Sequence, residues 1–290
     1  MKIIIKNLLK TPFLLFLLFM KLYSNFIKLL ISRYDWKDYI ENSIHNEITK
    51  FNYKKYNFKF YNPNSICNFR IKTFLTKEPE TIQWLKSYRG NGLLLDIGAN
   101  IGIYSNFYAK VKNNNVCAFE CSPFNLRALT RNIILNNNQK KIIVYPLALS
   151  EKNKVSYFNM NTLTEGGALS TLDDDKYKKF KYKFLINSFS LDYLYKMRII
   201  KNIPALIKID VDGIENLILK GAKKILKDKK CKSVLVEVNS KSTYKFEYIK
   251  KIMINSKFKL INDKKNTSLN ELKDNKDFKF TYNQIWIKKN

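Results

Sequence analysis

Residues 93–102 read LLLDIGANIG, and this stretch constrains the fold more than any other part of the chain. Three successive leucines without alternation are typical of a strand buried on both faces, as in a parallel sheet covered by helices. Gly98 and Gly102 then mark a tight turn, and the following IYSNFYAKV has the apolar spacing of a helix. The pattern predicts a strand, a glycine turn and a helix whose first N–H groups face a ligand.

The spacing around this turn limits which ligand fits. A dinucleotide fingerprint needs Gly-x-Gly-x-x-Gly, whereas this chain has Asp-x-Gly-x-Asn-x-Gly, with Asp96 where it would repel a phosphate. About twenty residues on, a second apolar strand, VCAFE, ends in Glu120. One carboxylate can accept hydrogen bonds from both hydroxyls of an unphosphorylated ribose. An adenosine with an ammonium group and no phosphate suits both acids, and S-adenosylmethionine is such a molecule.

Strands and helices continue to alternate after Glu120. Ser122 and Pro123 predict the start of a helix, and KIIVYPLALS is a third strand that ends near the adenine. GALSTL and FLINSFS indicate a pair or trio of short strands inserted above the sheet, and ALIKIDV and SVLVEVN are the fourth and fifth strands. FKLIND and YNQIWIKK form a final hairpin around a polar loop, residues 263–277. We predict an α/β fold with a doubly wound, mostly parallel seven-stranded sheet and a reversed C-terminal hairpin.

A second group of acids follows the fourth strand. In a doubly wound sheet this strand lies beside the first, so Asp210 and Asp212 emerge at the topological switch point, where ligands bind. Carboxylates there can orient an acceptor hydroxyl or take its proton, although Asp212 can instead cap the next helix. Glu237 and Asn239 end the fifth strand on the same side. With Asp210 they are either a divalent-metal site or plain hydrogen-bond acceptors, and we predict no metal.

Five segments occur in order along the chain: KEPETIQWLKSY, LLLDIGANIGIYS, FECSPFNLRALTRN, LALS and IKIDVDGIENLILKGA. Together they resemble the FkbM family of S-adenosylmethionine-dependent methyltransferases, over about residues 78–239. The resemblance implies a Rossmann-like class I methyltransferase fold and methyl transfer to a hydroxyl oxygen, with sugars and polyketides among the acceptors. The family usually has Glu-Pro where this chain has Glu120-Cys121, and often Asp-x-Glu-Gly where it has Asp210-Val211-Asp212-Gly213.

The resemblance and the motifs assign roles to ten residues. Asp96 is expected to hold the methionine amino group or the nearby backbone, and Glu120 the ribose. The full set expected to bind S-adenosylmethionine is Asp96, Gly98, Asn100, Gly102, Glu120, Asn125 and Leu149. The residues expected to orient the acceptor or take its proton are Asp210, Asp212 and Glu237. Membrane association and a bacterial-looking composition favour a sugar of a bacterial surface glycan as the acceptor.

The first 34 residues differ from the rest of the chain. They contain the apolar run FLLFLLFM, flanked by basic residues: Lys2, Lys6, Lys10, Lys21, Lys28 and Arg33. The run is shorter than the roughly 20 apolar residues that span a bilayer. We predict that residues 1–34 form a basic, apolar helix on the inner, cytoplasmic face of a membrane. A secretory signal would fit less well because no clean small-residue cleavage site follows, and a helix that packs on the domain or on a second subunit is the alternative.

Residues 35–90 are predicted to lead into the methyltransferase domain, residues 91–290. YNFKFYNP and ICNFRIKTFL alternate on either side of Asn62-Pro63-Asn64-Ser65, which predicts a β-hairpin with its turn there. Its aromatic residues form either a lid or, more simply, a small hairpin core. Pro79 then opens a helix, PETIQWLKSY, which ends before the central strand.

Composition narrows the classes of function. The net charge is +29, but the lysines are spread along the chain, so they predict a solvated basic surface and no nucleic-acid partner. Four cysteines lack metal-finger spacing and predict a reduced, cytoplasmic protein. His45 is the only histidine, so no His-based triad can form. One competing interpretation is a catalytically silent, membrane-associated scaffold with the same fold. A second is an NAD-dependent oxidoreductase, which is less favoured because the third glycine of the dinucleotide fingerprint is missing.

Overall fold

The computed structural model describes residues 2–30, 47–173, 179–239, 243–262 and 281–289. The chain divides into two compact units, Met1–Ile48 and Thr49–Asn290. The predicted loop 263–277 and His45 lie outside the described residues.

Helix α1, Lys2–Leu30, accounts for the helix predicted within residues 1–34. Between residues 11 and 26 its large apolar side chains are mostly exposed: Phe13, Leu14, Leu15, Phe16, Leu18, Phe19, Leu22, Tyr23 and Phe26. Within the described part of the chain, no helix combines the length and the apolar character that crossing a bilayer requires.

A seven-stranded sheet organises the second unit. Its strands are β3 Leu94–Ile97, β4 Val116–Phe119, β5 Ile142–Tyr145, β10 Leu206–Ile209, β11 Ser233–Asn239, β12 Phe258–Asn262 and β13 Thr281–Lys288. Their spatial order is β12-β13-β11-β10-β3-β4-β5. The strands from β11 to β5 pair in parallel, whereas β13 is antiparallel to both of its neighbours. The predicted doubly wound, mostly parallel sheet with a reversed C-terminal hairpin is confirmed.

Helices cover both faces of this sheet, because successive residues of its central strands are apolar and buried. Leu94 packs into one core and Leu95 into the other, as successive side chains of a strand point to opposite faces. The helices of the unit are α2 Ser65–Lys72, α3 Pro79–Ser87, α4 Ile103–Val111, α5 Pro123–Leu135, α6 Leu191–Lys196, α7 Glu215–Lys220, α8 Lys223–Lys227 and α9 Thr243–Asn255.

A second sheet is inserted between β5 and α6. Its strands are β6 Ala148–Leu149, β7 Lys154–Met160, β8 Thr171–Leu172 and β9 Tyr182–Phe189, in the order β6-β9-β7-β8. The sequence predicts two or three short strands here, and the structure has four. Ala148, Phe158, Met160 and Leu172 form a small core of their own.

The predicted lead-in hairpin is misplaced. The two strands of the hairpin are β1 Ile48–Tyr53 and β2 Tyr56–Tyr61, joined by a two-residue turn. Residues predicted as its second strand instead form α2, because the side chain of Asn64 accepts a hydrogen bond from Cys67 N (2.9 Å) and caps the helix. Cys67 and Ile71, four residues apart, are the buried positions of this helix.

Two asparagines, one in α5 and one at its C-cap, fasten the hairpin to the domain. Asn132 Oδ1 accepts a hydrogen bond from Tyr61 N (2.7 Å), and its Nδ2 donates to Ile101 O (2.7 Å). One turn later, the amide of Asn136 accepts from Lys59 N (3.1 Å) and donates to Lys59 O (2.7 Å). Two side chains on one helix face therefore satisfy backbone groups of β2 that a neighbouring strand would otherwise pair.

We predict that Asn132→Leu destabilises the domain by about 2–5 kcal/mol, since it leaves two buried backbone groups, at Tyr61 and Ile101, without partners at about 1–3 kcal/mol each. Urea unfolding measures this change. Thr130→Ala is the matched control on the same helix, because its exposed hydroxyl bonds only within the helix; it should change stability by less than about 0.5 kcal/mol. Equal stability of the two variants would contradict the role given to Asn132.

Candidate active site

The carboxyl ends of β10, β3 and β4 lie side by side and open into one cleft. Parallel pairing sets Lys208 of β10 opposite Asp96 of β3, and Asp96 opposite Ala118 of β4. The cleft is lined by both apolar and polar side chains, as ligand sites are. Its wall includes most of the residues predicted for the site: Gly98, Asn100, Glu120, Asn125, Leu149, Asp210 and Asp212.

Packing requires the glycines of the turn after β3. Gly98 has φ +79° and Gly102 has φ +77°, in the left-handed region. A Cβ at Gly98 would lie 1.8 Å from the carbonyl oxygen of Asp210, and one at Gly102 would lie 2.3 Å from a methyl carbon of Leu129. The turn therefore packs directly on the end of β10 and on α5, and Gly98 also lines the cleft.

Glu120 fixes the shape of the turn. Its Oε2 accepts a hydrogen bond from Asn100 N (2.8 Å), and its Oε1 accepts from Cys121 N (2.9 Å) and Ser122 N (2.8 Å). Burial raises the pKa of this carboxyl group, although these three bonds favour its ionised form. A carboxylate has about four acceptor positions, so one on Oε2 is left for a ligand in the cleft.

Asp96 is fully buried and is not among the residues that line the cleft. Its Oδ2 accepts a hydrogen bond from Ser105 Oγ (2.6 Å), whereas no described residue supplies a partner for Oδ1. Burial raises the pKa of Asp96, and the nearby charge of Lys208 opposes that rise. A buried carboxylate oxygen without a partner is a group that a ligand's N–H donors would satisfy.

Three predicted site residues hold one loop over the cleft. We call residues 162–170 the cleft loop. Its Gly167 O accepts a hydrogen bond from Asn100 Nδ2 (2.8 Å). Asn125 accepts a hydrogen bond from Gly166 N (2.9 Å) and donates to Gly167 O (3.2 Å). Asp212 Oδ2 accepts from Leu169 N (2.7 Å). Asp212 therefore does not cap the following helix, whose N-cap is Ile214 without a side-chain cap.

A buried lysine, Lys208, lies next to the acids that follow β10. Lys208 Nζ lies 2.8 Å from Asp210 Oδ2 and 5.0 Å from the centre of the Tyr104 ring. Tyr104 donates its hydroxyl hydrogen bond to Glu78 Oε2 (2.9 Å). The sequence analysis missed these residues, although a lysine inside an otherwise apolar strand, LIKI, is a signal because lysine is rarely buried without a partner.

The acids at this edge of the sheet have divergent proton affinities. Burial alone would raise the pKa of Asp210, but the charge of Lys208 and its hydrogen bond outweigh burial and lower it. Burial and the charge of Asp210 raise the pKa of Asp212 to about 6. Burial, with the charges of Asp210 and Asp212, raises the pKa of Glu237 well above its usual range. Lys208 thus favours the ionised form of Asp210, whereas burial and the neighbouring acids favour the protonated form of Glu237.

Glu215 is a further acid that the sequence analysis did not select. Its Oε1 accepts hydrogen bonds from Gly213 N (2.8 Å) and Val211 N (3.4 Å), so it shapes the turn after β10. Burial, supplemented by the nearby acids, raises its pKa to about 7. Across the described ranges, no group of three or more His, Cys, Asp or Glu side chains is arranged to hold a metal ion.

The family model of the methyltransferase FkbM domain matches residues 96–263, more than half of the chain. The chain belongs to the FkbM methyltransferase family. S-adenosylmethionine is the methyl donor of this methyltransferase. No curated protein matches the chain.

Solved structures that resemble the methyltransferase are distant in sequence. The FkbM methyltransferase of Methylobacillus flagellatus KT is 16% identical, with 77% of this chain and 52% of that chain covered and a TM-score of 0.48. A methyltransferase of Agrobacterium tumefaciens is 10% identical (84% and 71% covered, TM-score 0.42). M. jannaschii TYW2, in complex with AdoMet, is 14% identical (82% and 84% covered, TM-score 0.37). This chain spans about half the length of the first of them.

The residues present fit the methyl donor. The turn between Gly98 and Gly102 exposes backbone to the cleft, and Glu120 has an acceptor position that suits a ribose hydroxyl. The unpartnered Oδ1 of Asp96 suits the N–H donors of the donor's amino group or of the backbone nearby. Apolar Phe119 and Leu149 also line the cleft, and such a surface suits a flat base.

We predict that Glu215→Gln makes the stability of the methyltransferase less dependent on pH. A pKa of about 7 in the folded protein, against about 4.3 unfolded, means that the native state binds more protons between these values. Stability therefore falls as pH rises through this window, by an order of 3 kcal/mol for Glu215. Glutamine keeps the oxygen that accepts both N–H groups but cannot ionise.

Urea midpoints between pH 4.5 and 8 test this prediction. The slope of stability against pH should be shallower for Glu215→Gln than for the unchanged protein. Glu247→Gln, on the exposed face of α9, is the control and should keep the original slope. An unchanged slope in Glu215→Gln would show that Glu215 titrates as an ordinary carboxyl group.

Proposed function

We propose that the methyltransferase transfers a methyl group to a hydroxyl oxygen, and that the acceptor is a sugar of a bacterial surface glycan. One observation carries the first part: Asp212, whose pKa is about 6, lines the same cleft as the glycine turn and Glu120. A carboxylate with a pKa close to the working pH is suited to remove a proton from a hydroxyl group during transfer.

The residues that bind the donor follow from the cleft. Glu120 accepts a hydrogen bond from the ribose, and Asp96 holds the amino group or the nearby backbone. Gly98, Asn100 and Gly102 let the chain approach closely at the turn. Asn125 acts through the cleft loop, which it holds at both Gly166 and Gly167. Leu149 contributes apolar surface for the adenine.

The three acids Asp210, Asp212 and Glu237 have different roles towards the acceptor. Bound S-adenosylmethionine supplies an electrophilic methyl group. Asp210, kept ionised by Lys208, accepts a hydrogen bond from the acceptor and orients it. Asp212 takes the hydroxyl proton, and Glu237, whose pKa burial raises, donates a hydrogen bond to a second acceptor oxygen when it carries its proton. Alignment of the two substrates is the main contribution, since positioning can supply about 7–11 kcal/mol of a barrier.

The choice of a sugar as the acceptor rests on its several hydroxyl groups and on the exposed apolar side chains of α1. A polyhydroxylated acceptor offers several hydroxyl groups to the carboxylates at the ends of β10 and β11, which can accept hydrogen bonds from all of them. A helix with exposed apolar side chains would bring the enzyme to the membrane on which surface glycans are assembled. Fold alone does not specify an acceptor.

Transfer of radiolabelled methyl from S-adenosylmethionine tests this function. The full chain is incubated with neutral sugars, nucleotide sugars and lipid-linked glycans, and labelled product is treated with alkali. A methyl ether formed on a hydroxyl survives this treatment, whereas a methyl ester formed on a carboxylate releases methanol. Donor binding without transfer to any hydroxyl would favour the scaffold alternative, and label that alkali removes would contradict hydroxyl transfer.

Asp212→Asn is the matched variant for this assay. The asparagine oxygen can still accept the hydrogen bond from Leu169 N, so the cleft loop stays in place. We expect kcat/KM to fall about 10²–10⁴-fold, as for loss of a general base, while donor affinity stays within threefold. In the unchanged enzyme kcat/KM should rise with pH through about 6, where Asp212 loses its proton. The same rise in Asp212→Asn would contradict its role as the base.

We further propose that α1 lies in the inner face of the membrane. Its exposed apolar side chains, flanked by lysines, suit the boundary between headgroups and acyl chains of an anionic bilayer. The full chain should float with vesicles containing phosphatidylglycerol. Leu15→Asp with Phe19→Asp, one helical turn apart, should reduce binding at least tenfold, since each buried side chain contributes about 1.5–3 kcal/mol. Tyr244→Asp, in the other unit, is the control, and failure of the full chain to float would refute this contact.

A further inference from the structure

Arg70, on α2, is anchored to the cleft loop. Its Nε donates a hydrogen bond to Gly166 O (2.7 Å). Gly166 N in turn donates to Asn125 (2.9 Å), and the next residue, Gly167, lines the cleft. Arg70 is thereby fixed beside the loop that lines the cleft, although α2 precedes β3 by more than twenty residues.

The charge of Arg70 acts on both ends of the cleft. It lowers the pKa values of Glu120, Asp210 and Asp212, each of which burial raises. Glu120 closes the turn between β3 and β4, whereas the two aspartates follow β10. Arg70 is therefore close enough to both groups of acids to act on them electrostatically.

The terminal nitrogens of Arg70 remain available. Within the described part of the chain, neither Nη atom takes part in a hydrogen bond or ion pair, and Nε alone is used. Other cations near the cleft are engaged: Lys208 pairs with Asp210, and Lys77 pairs with Glu78 (3.1 Å). Arg70 thus presents a fork of donors whose geometry matches a carboxylate.

We propose that Arg70 binds the carboxylate of the methionine part of S-adenosylmethionine. The donor carries a ribose, an ammonium group and a carboxylate; Glu120 and Asp96 suit the first two, and neither acid can bind the third. The proposal rests on the family's donor and not on the identity of the acceptor. A carboxylate of an acidic acceptor has the same chemistry, so the experiment separates the two sources.

Calorimetry on the full chain tests the proposal with two ligands. One is S-adenosylmethionine, and the other is its decarboxylated form, which keeps the ribose, the sulfonium and the amine. Arg70→Gln should weaken binding of S-adenosylmethionine about 10–100-fold, as expected for loss of a charged hydrogen bond. Binding of the decarboxylated form should change less than threefold. Arg70→Lys, which keeps the charge, should retain part of the affinity for S-adenosylmethionine.

Arg127→Gln is the matched control. Arg127 Nη1 lies 3.6 Å from Glu165 Oε1 in the same cleft loop, but this arginine is half exposed on α5. Its loss should change the affinity for either ligand less than threefold, and the folded fraction of each variant is checked by thermal unfolding.

Three results would overturn the proposal. Equal weakening of both ligands in Arg70→Gln would mean that Arg70 acts through the cleft loop or through Glu120. Unchanged affinity for S-adenosylmethionine would mean that Arg70 does not contact the donor. Unchanged donor affinity with lost affinity for glucuronic acid would assign Arg70 to the acceptor. None of these depends on whether methyl transfer to a hydroxyl is detected.

Discussion

The contact between the glycine turn and the end of β10 is the constraint on which the cleft depends. A single added carbon at Gly98 would collide with the carbonyl oxygen of Asp210. Because that contact is so close, the turn after β3 packs directly against the backbone at the end of β10. Glu120 completes the arrangement by accepting three backbone N–H groups from the turn and from the start of α5.

Charge is distributed unevenly between the surface and the site. The chain has a net charge of +29, yet the edge of the sheet gathers Asp96, Asp210, Asp212, Glu215 and Glu237. Lys208 is buried among them and makes one of these acids strongly ionised. Burial, and after it the charge of Asp210, raises the pKa values of Asp212 and Glu237. Similar side chains therefore differ in proton affinity: the pKa of Asp210, beside Lys208, is lowered, and the pKa values of Asp212 and Glu237 are raised.

Local sequence patterns were sufficient to predict the sheet and its order, but not the hydrogen bonds that hold the cleft loop over the site. The leucine run, the glycine turn and the apolar strands specify the parallel sheet, because each signal lies within a few residues of its effect. The prediction of a strand at residues 66–75 was wrong. Residues 65–72 form α2, because the cap by Asn64 outweighs the alternating pattern. Asn125 and Asp212 were predicted at the cleft, but their hydrogen bonds to the loop join residues about forty positions apart. No spacing rule reaches that far, and Arg70 escaped notice for the same reason.

Attachment of the hairpin through side-chain amides has an evolutionary consequence. Asn132 and Asn136 recognise only the main chain of β2, and main-chain groups are the same whatever the residue. Outward-facing side chains of β1 and β2 are thus free to drift while the hairpin stays docked. The family model begins at residue 96 and omits the hairpin. The part of the chain that the family model matches thus holds the hairpin by hydrogen bonds that specify no side chain of β2.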